Sequence, residues 1–228
     1  MKIRYVTLTG ADDGTDAKKM AALSMEYKFA EWAILFSQNK AGVERYPSLD
    51  WIDRSLPLLS ETNLSAHLCG KWVSDANNGR FTFLEDDWFG FFGRIQLNMD
   101  KSTLLKVLNR ETNLWNCTFD KPIILGGPYQ KNIVTDVFDS HGVSPIFDCS
   151  GGRGILTDQW PSPLLGKFCG YAGGLGPDNI EEQLVKIESV VGDAEIWIDM
   201  ESSLRNKDQF DLEKCEMVLS IAKRWTDI

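Results

Sequence analysis

A glycine-rich segment in the last third of the chain has the composition of an anion-binding turn. Residues 172–180 read Ala-Gly-Gly-Leu-Gly-Pro-Asp-Asn-Ile and directly follow a β-rich run. Paired glycines at a strand end let backbone amides approach a ligand, and the helix that follows offers unpaired amides and the positive end of its dipole. Gly173 and Gly174 are therefore candidate phosphate ligands. A tight strand-to-helix turn without a ligand would have the same sequence.

The segment after the last predicted strand has side chains that could complete such a site. Small hydroxyl residues stand beside a basic side chain in residues 199–206, where the candidates are Asp199, Ser202, Ser203 and Arg205. Barrels of alternating strands and helices often bind phosphate with the loops after their seventh and eighth strands. An exposed loop is the alternative for this segment alone, but the two segments together favour anion binding.

A third segment, residues 147–154, has a carboxylate at a predicted strand end. Asp148 precedes a glycine-rich loop that contains Gly152, a further candidate for contact with the substrate. A carboxyl group in this position could act as a general acid or base if its burial suits that role. The alternative is a carboxylate that only caps loop amides.

These segments need a scaffold that brings strand ends together, and the chain alternates short β-rich runs with helical patterns. The β-rich runs span residues 3–9, 32–36, 64–69, 94–99, 122–125, 143–148, 167–172 and 195–200. Helical patterns span residues 16–27, 49–59, 102–110, 178–190 and 211–224, whereas residues 153–163 are expected to be mostly loop. Eight such units predict a closed (β/α)8 barrel, a TIM barrel of the α/β class, as a single domain over residues 1–228. A doubly wound sheet would share the alternation, but no Gly-x-Gly-x-x-Gly follows the first strand.

Apolar and polar residues alternate along several of these strands, including residues 64–69 and 94–99. Because successive side chains point to opposite faces of a strand, the apolar sets are expected to pack against outer helices and the polar sets to point into the barrel. Buried polar groups must be paired. Arg94 is therefore expected to meet an acidic partner inside the barrel, with Glu195 and Asp199 as the candidates.

Composition argues against several classes of function. The formal net charge is −9, with 33 acidic and 24 basic residues, and general nucleic-acid binding needs a basic surface instead. The chain has no run of about 18 apolar residues, so no transmembrane helix is expected, and its amino terminus lacks the apolar block of a signal peptide. Its five cysteines are scattered without a Cys-x-x-Cys pair, and only two histidines are present. We therefore predict a cytoplasmic protein with no metal site and no cofactor.

The three segments, in this order, resemble the phosphoribosylanthranilate isomerase family of tryptophan biosynthesis. That family has a strand ending in Asp followed by Gly-Gly-x-Gly, then a Gly-Gly-Leu-x-Pro-x-Asn turn, and a last strand of Asp-Val-Ser-Ser-Gly type. The matching positions here are Asp148 with residues 151–154, residues 173–179, and residues 199–202. The likeness covers most of the chain and is sharpest in its carboxyl-terminal third.

The resemblance implies roles for individual residues. Asp148 matches the general acid of the family, and Arg45 matches the arginine that holds the substrate carboxylate. Gln96 stands in an Ile-Gln-Leu-Asn run that is similar to the family's Val-Gln-Leu-His. The family's base is a cysteine at the end of the first strand, and Thr9 takes its place here. A threonine hydroxyl is too weak an acid to supply a base without a strong activating partner.

Cys69 is the candidate for a replacement base. It lies on the polar side of the third predicted strand, two residues after His67, and it would form a thiolate if His67 or an arginine lowered its pKa. Simple packing is the alternative for an interior cysteine. Asp12 and Asp13 follow the first strand and are expected to be solvated loop acids, and Glu201 stands where the family usually has a serine.

We therefore predict an isomerase-like enzyme that carries out an Amadori-type aldose–ketose rearrangement on a phosphorylated sugar or a related phosphate ester. The alternative is a non-catalytic relative that binds a phosphorylated metabolite or a protein partner. An aldolase or a metal-dependent epimerase fits less well, because the sequence shows no strand-end lysine and no cluster of histidines with carboxylates. A small phosphorylated substrate is the expected partner, without nucleic acid or membrane, for a chain that is a monomer or a homodimer.

Overall fold

The barrel predicted from the sequence is present. The computed structural model describes residues 1–81, 86–116, 120–127, 138, 142–148 and 154–227. Eight parallel strands pair in chain order, and the last pairs with the first to close the barrel. The strands are β1 Lys2–Thr9, β2 Ala30–Phe36, β3 Asn63–Leu68, β4 Arg94–Asn98, β5 Ile123–Gly127, β6 Val143–Asp148, β7 Cys169–Ala172 and β8 Glu195–Met200. The (β/α)8 fold class is therefore confirmed.

The helices surround the barrel, and several begin at a side chain that accepts hydrogen bonds from first-turn amides. The α-helices are α1 Ala17–Glu26, α2 Leu49–Ser55, α3 Lys71–Asn77, α4 Lys101–Leu108, α5 Ile180–Val191 and α6 Leu212–Ala222. Asp16, Ser48, Asp100 and Asp211 cap α1, α2, α4 and α6 in this way, which satisfies amides that have no partner inside the helix. Within the described ranges, no helix combines the length and the apolar character that a membrane span requires.

Two helical segments differ from the prediction. The predicted helix over residues 49–59 becomes α2 followed by the 3-10 helix Leu56–Leu59, because Pro57 has no amide hydrogen to continue the α-helical pattern. No bounds were predicted for helix α3, which follows Gly70, whose positive φ of 64° turns the chain out of β3. Residues 154–163 form no helix or strand, in agreement with the expected loop. A short hairpin of Arg205–Asn206 and Gln209–Phe210 precedes α6.

Outward-facing apolar side chains of the strands pack with the helices into one core cluster. It includes Val6, Ile34 and Ile198 from the strands and Leu184 and Leu219 from α5 and α6. This agrees with the expectation that the apolar face of each strand meets the outer helices.

The prediction for Arg94 was right about a buried acidic partner and wrong about its identity. Arg94 donates from Nε to Glu31 Oε1 at 2.9 Å and from Nη2 to the other carboxylate oxygen, and Thr7 Oγ1 donates to Glu31 at 2.7 Å. Glu195 instead pairs with Arg4 near the surface, 3.4 Å away. Strand β2 begins two residues earlier than predicted, so that Glu31 lies within the strand and points into the barrel rather than standing before it. The sequence pattern of residues 32–36 could not show this.

Candidate functional site

A cavity of about 720 Å³ opens at the carboxyl ends of the strands and collects most of the residues predicted for the site. The predicted residues that line it are Arg45, Cys69, Gln96, Asp148, Gly173, Gly174, Asp199, Ser202 and Ser203. Strand ends of a parallel barrel point their loops to one face, which explains how positions so far apart in sequence meet. Gly152 lies outside the described residues.

The three sequence segments converge at this cavity. A Cβ atom on Gly174 would overlap the backbone of Leu156 in the loop after β6, and a Cβ atom on Gly154 would lie 3.3 Å from the Cβ of Ser202. Ser203 donates a hydrogen bond from Oγ to the carbonyl of Leu175 in the turn after β7. The loops after β6, β7 and β8 therefore pack against each other, as a shared site requires.

The turn after β7 has a conformation that glycine favours. Gly173 and Gly174 have φ values of 110° and 70°, a region that residues with a Cβ atom rarely adopt. Asn179 fixes the turn, because its side chain donates to the carbonyl of Gly174 at 2.8 Å and accepts from the amide of Gly176 at 3.0 Å. A turn held this firmly presents its backbone to the cavity in a defined geometry.

Asp199 is a buried carboxyl group at the end of β8. Thr9 Oγ1 donates a hydrogen bond to Asp199 Oδ1 at 2.6 Å, and both side chains are buried. Burial raises the pKa of Asp199 to about 7, and the negative charges of Glu201, Glu31 and Asp148 act in the same direction, while the hydrogen bond from Thr9 opposes the shift. Near neutral pH this carboxyl group can both take up and release a proton.

Asp148 stands on the same side of the barrel as Asp199. The register across β6, β7 and β8 pairs Asp148 with Ala172 and Ala172 with Asp199. Two strand spacings separate the carboxyl-bearing residues, or roughly 10 Å between their Cα atoms. A small substrate that fills the cavity can therefore meet both carboxyl groups.

Arg45 and Glu201 form an ion pair at the mouth of the cavity. Arg45 comes from the loop after β2 and Glu201 from the end of β8, and Arg45 Nη1 also lies 3.4 Å from Ser202 Oγ. About 30% of each side chain is exposed. The guanidinium group that the resemblance assigns to a substrate carboxylate is thus held by a carboxylate of the protein.

His67 carries no positive charge that would stabilise a Cys69 thiolate. Burial raises the pKa of the Cys69 thiol, against the effect of a hydrogen bond from Asn98 Nδ2 3.4 Å away. Burial, together with the charge of Arg94, lowers the pKa of His67 to about 3, so that His67 is neutral at physiological pH. We therefore do not assign Cys69 the role of base.

Arg205 does not face the cavity, which corrects the expectation for this residue. Its guanidinium group donates to the carbonyl of Gly10 at 2.6 Å and to Asp12 Oδ2 at 2.8 Å. Asp12 is buried and also accepts from the amide of Phe210 at 2.9 Å, so that it is not a solvated loop acid. Arg205 therefore fastens the chain after β8 to the loop after β1. Asp13 accepts a hydrogen bond from the amide of Ser48.

Several lining residues were not predicted, among them Lys40, Tyr46 and Asp100. Asn98 donates to Cys69 and accepts from Gln96 Nε2 at 2.8 Å, and it lies two residues after Gln96, on the same strand face. The alternation along the fourth strand predicted that Asn98 shares the polar face with Gln96. Within the part of the chain that the structure describes, no group of three or more His, Cys, Asp or Glu side chains could hold a metal ion.

Solved structures with the same fold include phosphoribosylanthranilate isomerases. The chain is 15% identical to monomers generated from the dimeric enzyme from Thermotoga maritima, with a TM-score of 0.57 over 98% of this chain and 100% of that one. The enzyme from Thermococcus kodakaraensis gives 13% identity and a TM-score of 0.54 over 96% and 99% of the two chains. A truncated 3-deoxy-D-arabino-heptulosonate 7-phosphate synthase from Thermotoga maritima gives 11% and 0.52 over 98% and 86%.

Comparison at the level of sequence gave no match to a family model and none to a curated protein. The likeness to these structures extends over the whole barrel. At these identities the likeness shows the fold.

Proposed function

We propose that the protein is an isomerase-like enzyme that acts on a phosphorylated sugar or a related phosphate ester. This proposal depends on one observation. Two carboxyl groups, Asp148 and Asp199, line the same cavity as the glycine turn after β7 and the hydroxyl-bearing segment after β8. In this proposal the phosphate binds between Gly173, Gly174 and the hydroxyl group of Ser202, while the Ser203 hydroxyl group fixes the turn after β7 through Leu175. The remainder of the substrate extends toward the carboxyl groups.

The chemistry would be an aldose–ketose rearrangement of the Amadori type. Asp148 donates a proton to the ring oxygen and so opens the sugar ring. Asp199 then removes the proton from carbon two, and the electrons of that C–H bond form a double bond between carbons one and two, while the carbonyl or imine at carbon one takes up the displaced pair. The hydroxyl group on carbon two then loses its proton and forms the C=O bond, while the electrons of the carbon–carbon double bond take up a proton at carbon one, which yields the ketose. General acid–base catalysis of this kind contributes roughly 10²- to 10⁴-fold to a rate.

Thr9 has a positioning role in this proposal. It replaces the cysteine of the resembled family, and its hydroxyl group holds Asp199 by a 2.6 Å hydrogen bond. A base works best when its pKa lies near the working pH, and the pKa of Asp199 is raised to about 7. The site therefore keeps a candidate base although the cysteine is absent.

A non-catalytic phosphometabolite-binding barrel is the second candidate. The specific observation in its favour is Glu201, a carboxylate directly beside the proposed phosphate ligand Ser202, which lowers the affinity for a dianion unless Arg45 compensates it. This candidate shares the binding step of the first and lacks the proton transfer.

Phosphate binding can be tested with a matched pair of charge insertions. We expect Ser202→Asp to weaken binding of ribose 5-phosphate at least about tenfold, because a new carboxylate would face the dianion. Ser189→Asp, on the exposed face of α5, adds the same charge away from the cavity and should leave binding unchanged. Thermal unfolding with and without ligand measures this, since a ligand at about 100 times its dissociation constant adds roughly 2.7 kcal/mol of stability. Equal effects of both substitutions would contradict the assigned position of the phosphate.

Proton transfer can be tested without knowledge of the final product. A base that removes the proton from carbon two exchanges it for deuterium in D₂O, and NMR detects this for ribose 5-phosphate or glucosamine 6-phosphate. We expect exchange in the wild-type protein and a loss of roughly 10²- to 10⁴-fold in Asp148→Asn and in Asp199→Asn. Binding without exchange would favour the non-catalytic candidate.

We also expect no growth when the gene is supplied to a cell that lacks phosphoribosylanthranilate isomerase, because Thr9 replaces the cysteine.

A further inference from the structure

Most of the charged side chains that line the cavity are acidic, and two are basic. Among the described residues that line it, the acids are Glu44, Asp100, Asp148, Asp199 and Glu201, and the bases are Lys40 and Arg45. The Lys40 ammonium lies over the ring of Tyr46, 5.2 Å from the ring centre, in an exposed part of the mouth. Acidic side chains therefore outnumber basic ones, five to two, among the described residues that line the cavity.

The more enclosed of the two bases already has an acidic partner from the protein. Glu201 reaches across the end of β1 to Arg45, and both side chains pass close to Gly10. A Cβ atom at position 10 would lie 3.7 Å from Glu201 Cγ and 3.8 Å from Arg45 Cβ. A ligand carboxylate would have to displace Glu201 from Arg45 and leave Glu201 beside it, so the exchange would gain no net attraction.

Gln96 gives an independent indication of what the ligand carries. Its side-chain oxygen Oε1 is buried and has no hydrogen-bond partner among the described residues, while its Nε2 donates to Asn98 at 2.8 Å. The hydrogen bond to Asn98 identifies Nε2 as the donor atom of the Gln96 amide, so the atom without a partner is the acceptor oxygen. Buried acceptors without a partner are costly. Gln96 is one of the residues that line the cavity, so a ligand whose N–H or O–H group reached Oε1 would satisfy it, whereas a carboxylate would not.

We propose that the cavity selects a phosphorylated amino sugar over a phosphorylated sugar acid, with Glu201 as the residue that determines this specificity. The proposal rests on the proposed function, because it assumes that the phosphate binds beside β7 and β8. The amine then faces the acceptors contributed by the ends of β4 and β8, with Glu201 held in place by Arg45.

Three six-carbon phosphate esters that differ in the charge at the end opposite the phosphate test this, and 6-phosphogluconate is also open-chain whereas the other two are mainly cyclic. Glucosamine 6-phosphate carries an amine, glucose 6-phosphate is uncharged there, and 6-phosphogluconate carries a carboxylate. By calorimetric titration at pH 7, we expect glucosamine 6-phosphate to bind at least about tenfold tighter than 6-phosphogluconate, with glucose 6-phosphate between them. Equal affinities, or tightest binding of 6-phosphogluconate, would overturn the inference and leave phosphate binding intact.

A pair of charge-removing variants locates the origin of the selectivity. We expect Glu201→Gln to release Arg45, strengthen binding of 6-phosphogluconate about tenfold and weaken that of glucosamine 6-phosphate. Glu44→Gln removes the same charge from the same mouth without releasing Arg45, and its effect should be several times smaller. Equal effects would show that total charge, and not the Arg45–Glu201 pair, sets the preference. If none of the three probes binds to any of the proteins, the proposed function itself fails.

Discussion

The two ends of the barrel hold similar chemical groups in different states. At the amino end, Thr7, Glu31 and Arg94 form one hydrogen-bonded unit. At the carboxyl end, Thr9 holds Asp199, while the nearby arginine, Arg45, pairs with Glu201 instead. The cavities at the two ends are also alike in volume, about 700 Å³ and 720 Å³. Volume and residue types therefore do not distinguish a structural end from a functional one.

The pairing of charges does distinguish them. The Glu31 carboxylate receives two hydrogen bonds from Arg94, whose guanidinium group lies 4.6 Å from the ring centre of Trp197 and 4.7 Å from that of Tyr5. The hydrogen bond to Asp199 comes from an uncharged hydroxyl group, and its carboxyl group keeps a pKa raised to about 7. A buried carboxyl group without a cation beside it is harder to ionise, so Asp199 can exchange protons near neutral pH.

The largest effect expected from this comparison is on stability at the amino end. Arg94→Met should lower the free energy of unfolding by about 3 to 5 kcal/mol, because it leaves the Glu31 carboxylate buried without its partner. The matched change at the other end, Arg45→Met, should cost less than about 1 kcal/mol, since its pair with Glu201 is partly exposed. Urea unfolding of both variants measures the difference.

A double variant separates loss of the ion pair from loss of packing at the amino end. Arg94→Met combined with Glu31→Gln should regain part of the stability that the single change removes, because no unpaired charge remains. Similar costs for Arg94→Met and Arg45→Met would contradict the contrast drawn between the two ends.

The second expected effect is a pH dependence at Asp199. Its folded-state pKa of about 7 lies above the ordinary value of 3.8, so the folded protein binds this proton more tightly than the unfolded chain does. The stability that this group contributes is complete below about pH 4 and is lost as the pH rises to about 7, by roughly 4 kcal/mol at most. Asp199→Asn removes this titration. The unfolding free energy of the variant minus that of wild type should therefore increase as the pH rises from 4.5 to 8.

Unfolding free energies of the two proteins across that range test the sign as well as the size. A difference between wild type and Asp199→Asn that does not change with pH would mean that the folded-state pKa is ordinary. Asp199 would then lose the property that makes it the candidate base.

The strand ends were predictable from the sequence, and the partners of their side chains were not. Alternation and glycine turns gave β6 and β8 their observed bounds and brought Asp148, Gly174 and Asp199 to one cavity. These features are local, because they depend on the period of a strand and on the conformations open to glycine.

Pairings across the barrel depend on where each strand starts and on the rotamer of each side chain. The sequence placed Arg94 in the lumen but could not identify Glu31 as its partner. The predicted second strand began at residue 32, so Glu31 was left outside the strand and was not considered as an inward-facing acid. It likewise assigned Arg205 to the phosphate, although the structure commits that side chain to Gly10 and Asp12. Charged side chains are long enough to choose among several partners, and a one-dimensional pattern does not rank them.

The smallest expected effect concerns the glycine turn, where two positions with similar positive φ values can be compared. Gly174 has a φ of 70° and would meet the backbone of Leu156 if it had a Cβ atom, whereas Gly192, at the end of α5, has a φ of 59° and open space around it. Alanine at either position should cost about 1 to 3 kcal/mol in backbone strain, because residues with a Cβ atom rarely adopt these positive φ values. Only Gly174→Ala must also displace the loop after β6, and we expect it to weaken binding of ribose 5-phosphate, while Gly192→Ala binds as wild type does. Both variants carry backbone strain, so a general loss of stability would affect them alike. Equal binding of ribose 5-phosphate by the two variants would mean that the turn after β7 does not form the phosphate site.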